Sequence, residues 1–201
     1  ERHGVLPLDD RMVELFGARF RDNSPHPADR RYVYRPPMSP MPGQASAAIG
    51  GRAFDLTATV TRERGEDGVI FATGTENSGL TVFVQDDRLM IDYNAFDDHT
   101  ILESNAEVPE GTSVLSAKLR RGEGRTGTMA VEIDGEPAGA ADLPLFMAMM
   151  SSVGPSVGYD HGSPVSTLYD APFHFEGKLH EVVIQLLSTQ DVEAQEAEAA
   201  A

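Results

Sequence analysis

The stretch GVIFATGTENSGLTVFVQDDRLMIDYN, residues 68–94, decides how the rest of the chain is read. Three runs rich in β-branched, aromatic and other apolar residues, 68–74, 80–84 and 88–94, are separated by polar turn residues, as in a β-meander. The link QDD at 85–87 is too short for a crossover, so its flanking strands must pair antiparallel. Working outward, the pattern recurs in FDLTATV (54–60), TILES (100–104), SVLSAKLRR (113–121) and TMAVEID (128–134). Asp134-Gly135, before EPAGAADL, is a strong hairpin signal because both residues tolerate positive φ. FHFEGKLHEVVIQLL (173–187) reads as a closing strand or strand pair. No amphipathic helices intervene, so two stacked antiparallel sheets are the economical architecture, an all-β sandwich over 44–187.

The flanks read differently. Met12, Val13, Leu15, Phe16 and Phe20 follow Asp9-Asp10 as a short N-terminal helical segment. Residues 21–43 hold six prolines, which remove amide donors and favour an irregular, proline-rich arm lying against something; the linker helix and arm together make 1–43. LPLFMAMMSSVG (143–154) is open between a core-covering loop and an exposed Met-rich contact. The acidic, Ala-rich tail 188–201 is expected to be frayed or disordered.

The chain has 201 residues, 16 basic and 32 acidic, for a net charge of −16. Such a field repels phosphate backbones and anionic lipids, which argues against nucleic acid as a partner. No apolar run approaches the roughly 20 residues of a membrane span, so no membrane role is expected and the expectation is a soluble protein of the bacterial cytoplasm or periplasm. Cysteine is absent, removing thiolate nucleophiles, thiolate metal sites and disulfides. The chain opens with Glu1 on a stretch lacking a signal-peptide core, and is expected to be a portion of something longer.

The pieces VLPLDDR, FVQDDRLMIDYN, VEIDGEPAG and GSPVS…Y…PFHFEGKLHEVVI resemble the C-terminal region of a group of long bacterial arylsulfatases, over nearly the whole chain. In that group a catalytic domain of the alkaline-phosphatase superfamily is followed by a laminin-G/concanavalin-like jelly roll. The resemblance implies an accessory domain, with the sulfatase catalytic domain as partner. It also implies formylglycine, made from a Cys/Ser-x-Pro-x-Arg motif, and a divalent cation such as calcium or magnesium, both in that domain. Here there is no Cys, and no Ser stands two residues before a proline, so this chain alone is not expected to hydrolyse sulfate esters and carries no catalytic residues or cofactor of its own.

Several constellations compete for other roles. QDDR, FDDH and YDHGSPVSTLYD offer carboxylate pairs, but the Glu-x-Asp-x-x-Glu strand of sandwich glycosidases is missing, and Asp86 and Asp87 read as turn residues. Calcium needs six to eight oxygens; Asp160 and Asp170, with Ser163 and either Asp97 or Asp98, are the candidate ligands, set against plain turn roles. The histidines, at 3, 26, 99, 161, 174 and 180, show no zinc spacing. A sugar-binding sandwich wants an aromatic platform; there is no Trp, leaving Tyr93, Tyr159 and Tyr169. Arg30, Arg31 and Arg35 interleave with Tyr32 and Tyr34, either gripping a partner or an anion or pinning the arm to its own sandwich. The expected contact residues are therefore Arg30, Arg31, Tyr32, Tyr34, Asp160, His161, Ser163 and Tyr169. The function expected is a non-catalytic accessory domain of an arylsulfatase that shapes its active-site rim or a subunit interface, with self-association open. The rival is a stand-alone carbohydrate- or calcium-binding module.

Overall fold

The computed structural model of the chain describes residues 30–147 and 153–188. Eleven strands run through them: β1 (Arg31–Tyr34), β2 (Phe54–Arg62), β3 (Gly68–Thr75), β4 (Ser78–Gln85), β5 (Arg88–Asn94), β6 (His99–Glu107), β7 (Gly111–Arg121), β8 (Gly127–Ile133), β9 (Glu136–Leu143), β10 (Ser156–Val157) and β11 (Lys178–Leu186). They form a six-stranded sheet, β1-β11-β2-β7-β8-β9, stacked on a five-stranded one, β10-β3-β4-β5-β6. Every neighbouring pair is antiparallel.

Alternation explains the main core. On β2, Phe54, Leu56, Ala58 and Val60 point inward and are buried, while Asp55, Thr57, Thr59 and Thr61 face outward. They meet Leu80, Val82, Val84, Leu89, Ile91 and Tyr93 from the opposing sheet. Strand β4 breaks the two-faced pattern, being buried from Gly79 to Val84. Its outward residues, Thr81 and Phe83, are roofed by the loop leading from β10 to β11. Val165, Tyr169 and Phe173 of that loop pack on Val69, Ala72, Phe83 and Met90 as a second, smaller core. Burying a side chain such as Phe83 contributes about 1.5–3 kcal/mol, so this roof is held by more than its turns.

Four local expectations are corrected or sharpened. The link at 85–87 is a two-residue turn, since Gln85 closes β4 and Asp86 and Asp87 take φ of 51° and 61°. Asp134 and Gly135 likewise turn at 52° and 84°. The stretch 173–187 is not a strand pair: only Lys178–Leu186 is a strand, while His174 makes a single parallel bridge to Val69. Gly68 permits that approach, because a Cβ there would lie 2.3 Å from the His174 carbonyl oxygen. The arm is not wholly irregular, because the proline-free RYVY pairs with β11 and places Tyr32 and Tyr34 in the main core. The sandwich thus takes in a strand from before residue 44.

Phe146 and Met147 are buried, Phe146 stacking on Tyr93 at 6.0 Å, so the described part of 143–154 covers the core. Met149 and Met150, the helical candidate at 12–20 and the tail from 189 lie outside the described residues.

Candidate functional site

The loops at the C-terminal end of β5 form a constructed polar surface, and Asn94 organises it. Asn94 is wholly buried. Its Nδ2 donates to the Glu76 carbonyl at 2.7 Å and the Val165 carbonyl at 3.2 Å, while its Oδ1 accepts from Asp97 N at 2.9 Å. One amide therefore ties together the β3–β4 turn, the β5–β6 turn and the roofing loop. Ser163 Oγ adds a fourth tie, accepting from Glu76 N at 3.3 Å.

The β5–β6 turn, Ala95–Asp98, is closed by Ala95 N to Asp98 O at 2.9 Å and Asp98 N to Ala95 O at 3.3 Å. Its central residues, Phe96 and Asp97, have φ of 60° and 69°. Such a turn favours Asn, Asp and Gly, and a left-handed conformation costs a residue with a Cβ about 1–2 kcal/mol. Phe96 nevertheless occupies it, with 71% of its surface exposed.

Behind the rim lie two buried carboxyl groups. Asp160 is 1% exposed, and its Oδ2 accepts from the Tyr169 hydroxyl at 2.6 Å and from Val165 N at 2.8 Å. Burial pushes its pKa up, against the opposing pull of Tyr169, Val165 N and His161 N. The Tyr169 hydroxyl also lies 3.0 Å from Thr81 Oγ1, and burial, then the Asp160 charge, holds it neutral well above the usual phenol range. On the neighbouring strand Asp92, opposite Thr81, is wholly buried with both oxygens within 3.0 Å of His99 Nδ1. Its pKa too is raised by burial, with Ser166 and His99 opposing. These groups fasten the roof to the sheet; Tyr169, stacked on Phe173 at 5.1 Å and edge-on to Phe83 at 5.1 Å, is part of the packing and no sugar platform.

The structure therefore gathers Asp97, Asp98, Asp160, His161 and Ser163 at one end, but with different exposures. His161, Asp97 and Asp98 face solvent, Ser163 is half-buried and Asp160 points inward. Asp170 is exposed. Among the described residues no three His, Asp or Glu side chains gather to hold a metal ion. Sequence reasoning passed over Asn94, Phe96 and the Asp92–His99 pair. FDDH was weighed for its carboxylates, although the shortness of the turn between β5 and β6 was the signal that its Phe must protrude.

The arm cluster sits elsewhere, at the β1 edge. Tyr32 and Tyr34 are buried, not offered to a partner, and Tyr34, its hydroxyl accepting from Ala47 N at 3.1 Å, has its pKa pushed up by burial to about 12. The Arg30 guanidinium lies 4.9 Å over the Tyr32 ring, Arg31 faces solvent, and Arg35 pairs with Glu181 at 3.0 Å. A register shift between Leu179 and Glu181 turns both His180 and Glu181 outward. His180 Nε2 lies 2.8 Å from Thr61 Oγ1, itself 2.7 Å from Thr112 Oγ1. Arg35, Thr59, Thr112, His180 and Glu181 line a shallow groove of about 350 Å³ on this face.

No protein-family model matches the chain, and no curated protein matches it. Solved structures share its fold. The CBM40 module of the Ruminococcus gnavus IT-sialidase, bound to α2,3-sialyllactose, aligns over 73% of this chain and 83% of its own at 11% identity, with a TM-score of 0.54. The LG1-3 region of the laminin α2 chain aligns over 77% of this chain and 30% of its own at 14% identity, TM-score 0.52. The Streptococcus pneumoniae NanB sialidase aligns over 73% and 24% at 10% identity, TM-score 0.51. Among the described residues no helix is long and apolar enough to cross a membrane. The chain is similar to these proteins in architecture: it is an antiparallel jelly-roll sandwich of the laminin-G and CBM40 kind.

Proposed function

We propose that this chain is a non-catalytic accessory module of a sulfatase, contacting the catalytic domain and shaping the rim of its active site or a subunit interface. The observation that carries this reading is the set of sequence runs VLPLDDR and GSPVS…Y…PFHFEGKLHEVVI, which resemble the region following a sulfatase catalytic domain. The second run forms part of the roof and strand β11: Val165 reaches Asn94, while Glu176 and Gly177 lie against Asp67, Thr61 and Arg62 at the opposite end. The missing Cys/Ser-x-Pro-x-Arg motif fits a division of labour in which formylglycine and its cation belong to the other domain.

A second reading, a glycan-binding module, is favoured by one observation: the groove lined by Arg35, Thr59, Thr112, His180 and Glu181 sets two threonine hydroxyls beside the Arg35–Glu181 pair, polar groups able to bond saccharide hydroxyls. Assays separate the two. With 4-nitrophenyl sulfate, the 201-residue chain is expected to release no nitrophenol, and the native protein to release it at a saturable rate. A native protein without sulfatase activity, together with saturable glycan-array binding lost in Arg35→Ala, would replace the first reading with the second.

A further inference from the structure

We propose that the turn Ala95–Asp98, with Phe96 as its anchor, is the surface by which this module docks onto another protein surface, one bearing an apolar pocket rimmed by Lys and Arg. This rests on the function proposed above, under which that surface belongs to the sulfatase catalytic domain.

Four observations lead there. Phe96 holds a left-handed backbone that its residue type disfavours, while 71% of its surface is exposed, so neither local conformation nor the core accounts for it. The turn is braced: Asn94, wholly buried, bonds Asp97 N and the two neighbouring loops, and the Ala95–Asp98 bonds close it, so the aromatic side chain stands on a backbone held from below. The anchor protrudes from a hairpin tip. A protruding ring fits a pocket in a partner, whereas a sugar ring needs a flat or recessed platform with polar groups around it. Finally, Glu76, Asp97 and Asp98 flank it, and residues 75–78, 95–98 and 160–165 contain no Lys or Arg. His99 Nε2, 3.9 Å from Asp97 Oδ1, and His161 are the basic groups at hand. An aromatic centre with an acidic rim calls for a basic-rimmed partner, which would steer docking and make it salt-sensitive.

Hydroxyl-radical footprinting of Phe96 in the native protein and in the 201-residue chain tests this, with the intact mass of the native protein read in parallel. A long native polypeptide in which Phe96 is oxidised at least ten-fold more slowly than in the 201-residue chain is the expected result. Equal oxidation in a long polypeptide overturns the docking surface and leaves the accessory-module reading standing. A native protein of only these residues overturns that reading and this one with it. Phe96→Asn supplies the second arm: it is expected to raise the melting temperature of the 201-residue chain by about 2–4 °C while restoring oxidation of the neighbouring turn in the long form. A lower melting temperature would make Phe96 a packing residue, and glycan-array binding lost in Phe96→Asn would put a saccharide in its place; either outcome overturns the proposal.

Discussion

The two ends of β5, about 20 Å apart by strand rise, are built on the same plan with opposite chemistry. Each has a buried polar side chain that holds three loops. At one end it is Arg62, whose side chain has no exposed surface. Its Nε donates to Glu66 O at 3.0 Å, its Nη1 to Val108 O at 2.9 Å, and its Nη2 pairs with Asp87 in the β4–β5 turn. Arg64 extends the network to Glu107 at 2.8 Å. At the other end it is Asn94, neutral, with three hydrogen bonds. The ionic hub pairs Asp87 of its turn; the amide hub leaves Asp97, Asp98 and Glu76 facing solvent around Phe96. The two turn tips show the same division: Asp86 and Asp87 suit their left-handed backbone, while Phe96 does not. One end is built for stability, and the other accepts a conformational cost beside an exposed ring.

Removing either hub should have the largest effect on stability. Arg62→Met removes the donor to the Glu66 and Val108 carbonyls and leaves Asp87 with Gly65 N, and is expected to lower the urea midpoint more than any other change at unchanged slope. Asn94→Ala is expected to cost about 2–3 kcal/mol by the same measurement, with amide exchange quickening in residues 75–78, 95–98 and 163–165 and not near Arg62.

Acidity distinguishes the ends next. The Arg62 guanidinium, then Gly65 N, hold the Asp87 pKa below its ordinary 3.8. Its stabilisation is therefore present above 3.8 and lost as pH falls through the depressed value. Asp92 and Asp160 have folded values raised above 3.8 by burial, so their neutral forms stabilise fully below 3.8 and that contribution is lost as pH rises through the folded values. The amide of Gly65, which donates to Asp87 Oδ1, should titrate below 3.8 in NMR spectra, and that of Val165, which donates to Asp160 Oδ2, above it. Reversed order would contradict the burial assigned to the roof.

The smallest effects lie at the tips. Phe96→Asn is expected to stabilise the isolated chain by about 1 kcal/mol, whereas Asp86→Asn should stay within about 0.5 kcal/mol, both read from chemical denaturation. Equal effects would remove the distinction between the tips.

The meander over 68–94 was legible because period-two alternation and short polar links are local properties; RLMIDYN was bounded as it stands in β5. The roof was not. Alternation assigns Val69, Phe83 and Met90 to an outer face without saying that a loop eighty residues later covers it, though the nearly unbroken apolar run LTVFV carried a hint that β4 is buried twice. Strand β1 was hidden by the prolines around it, since RYVY alone is too short to declare a sheet partner. At the candidate site, Asp97, Asp160, His161 and Ser163 were singled out in the sequence as possible ligand or contact residues. Asn94 and Phe96 were not, because a buried amide hub and a strained tip are defined by neighbours in space. The outward turn of His180 likewise depends on a bulge that no residue type announces.

Intact mass and N-terminal sequencing of the native protein, purified from its source, decide whether the sandwich is part of a longer sulfatase. The expected result is a polypeptide several hundred residues longer, whose upstream sequence carries a Cys/Ser-x-Pro-x-Arg motif with the formylglycine mass difference at its first residue. A native chain that starts near Glu1 would contradict it.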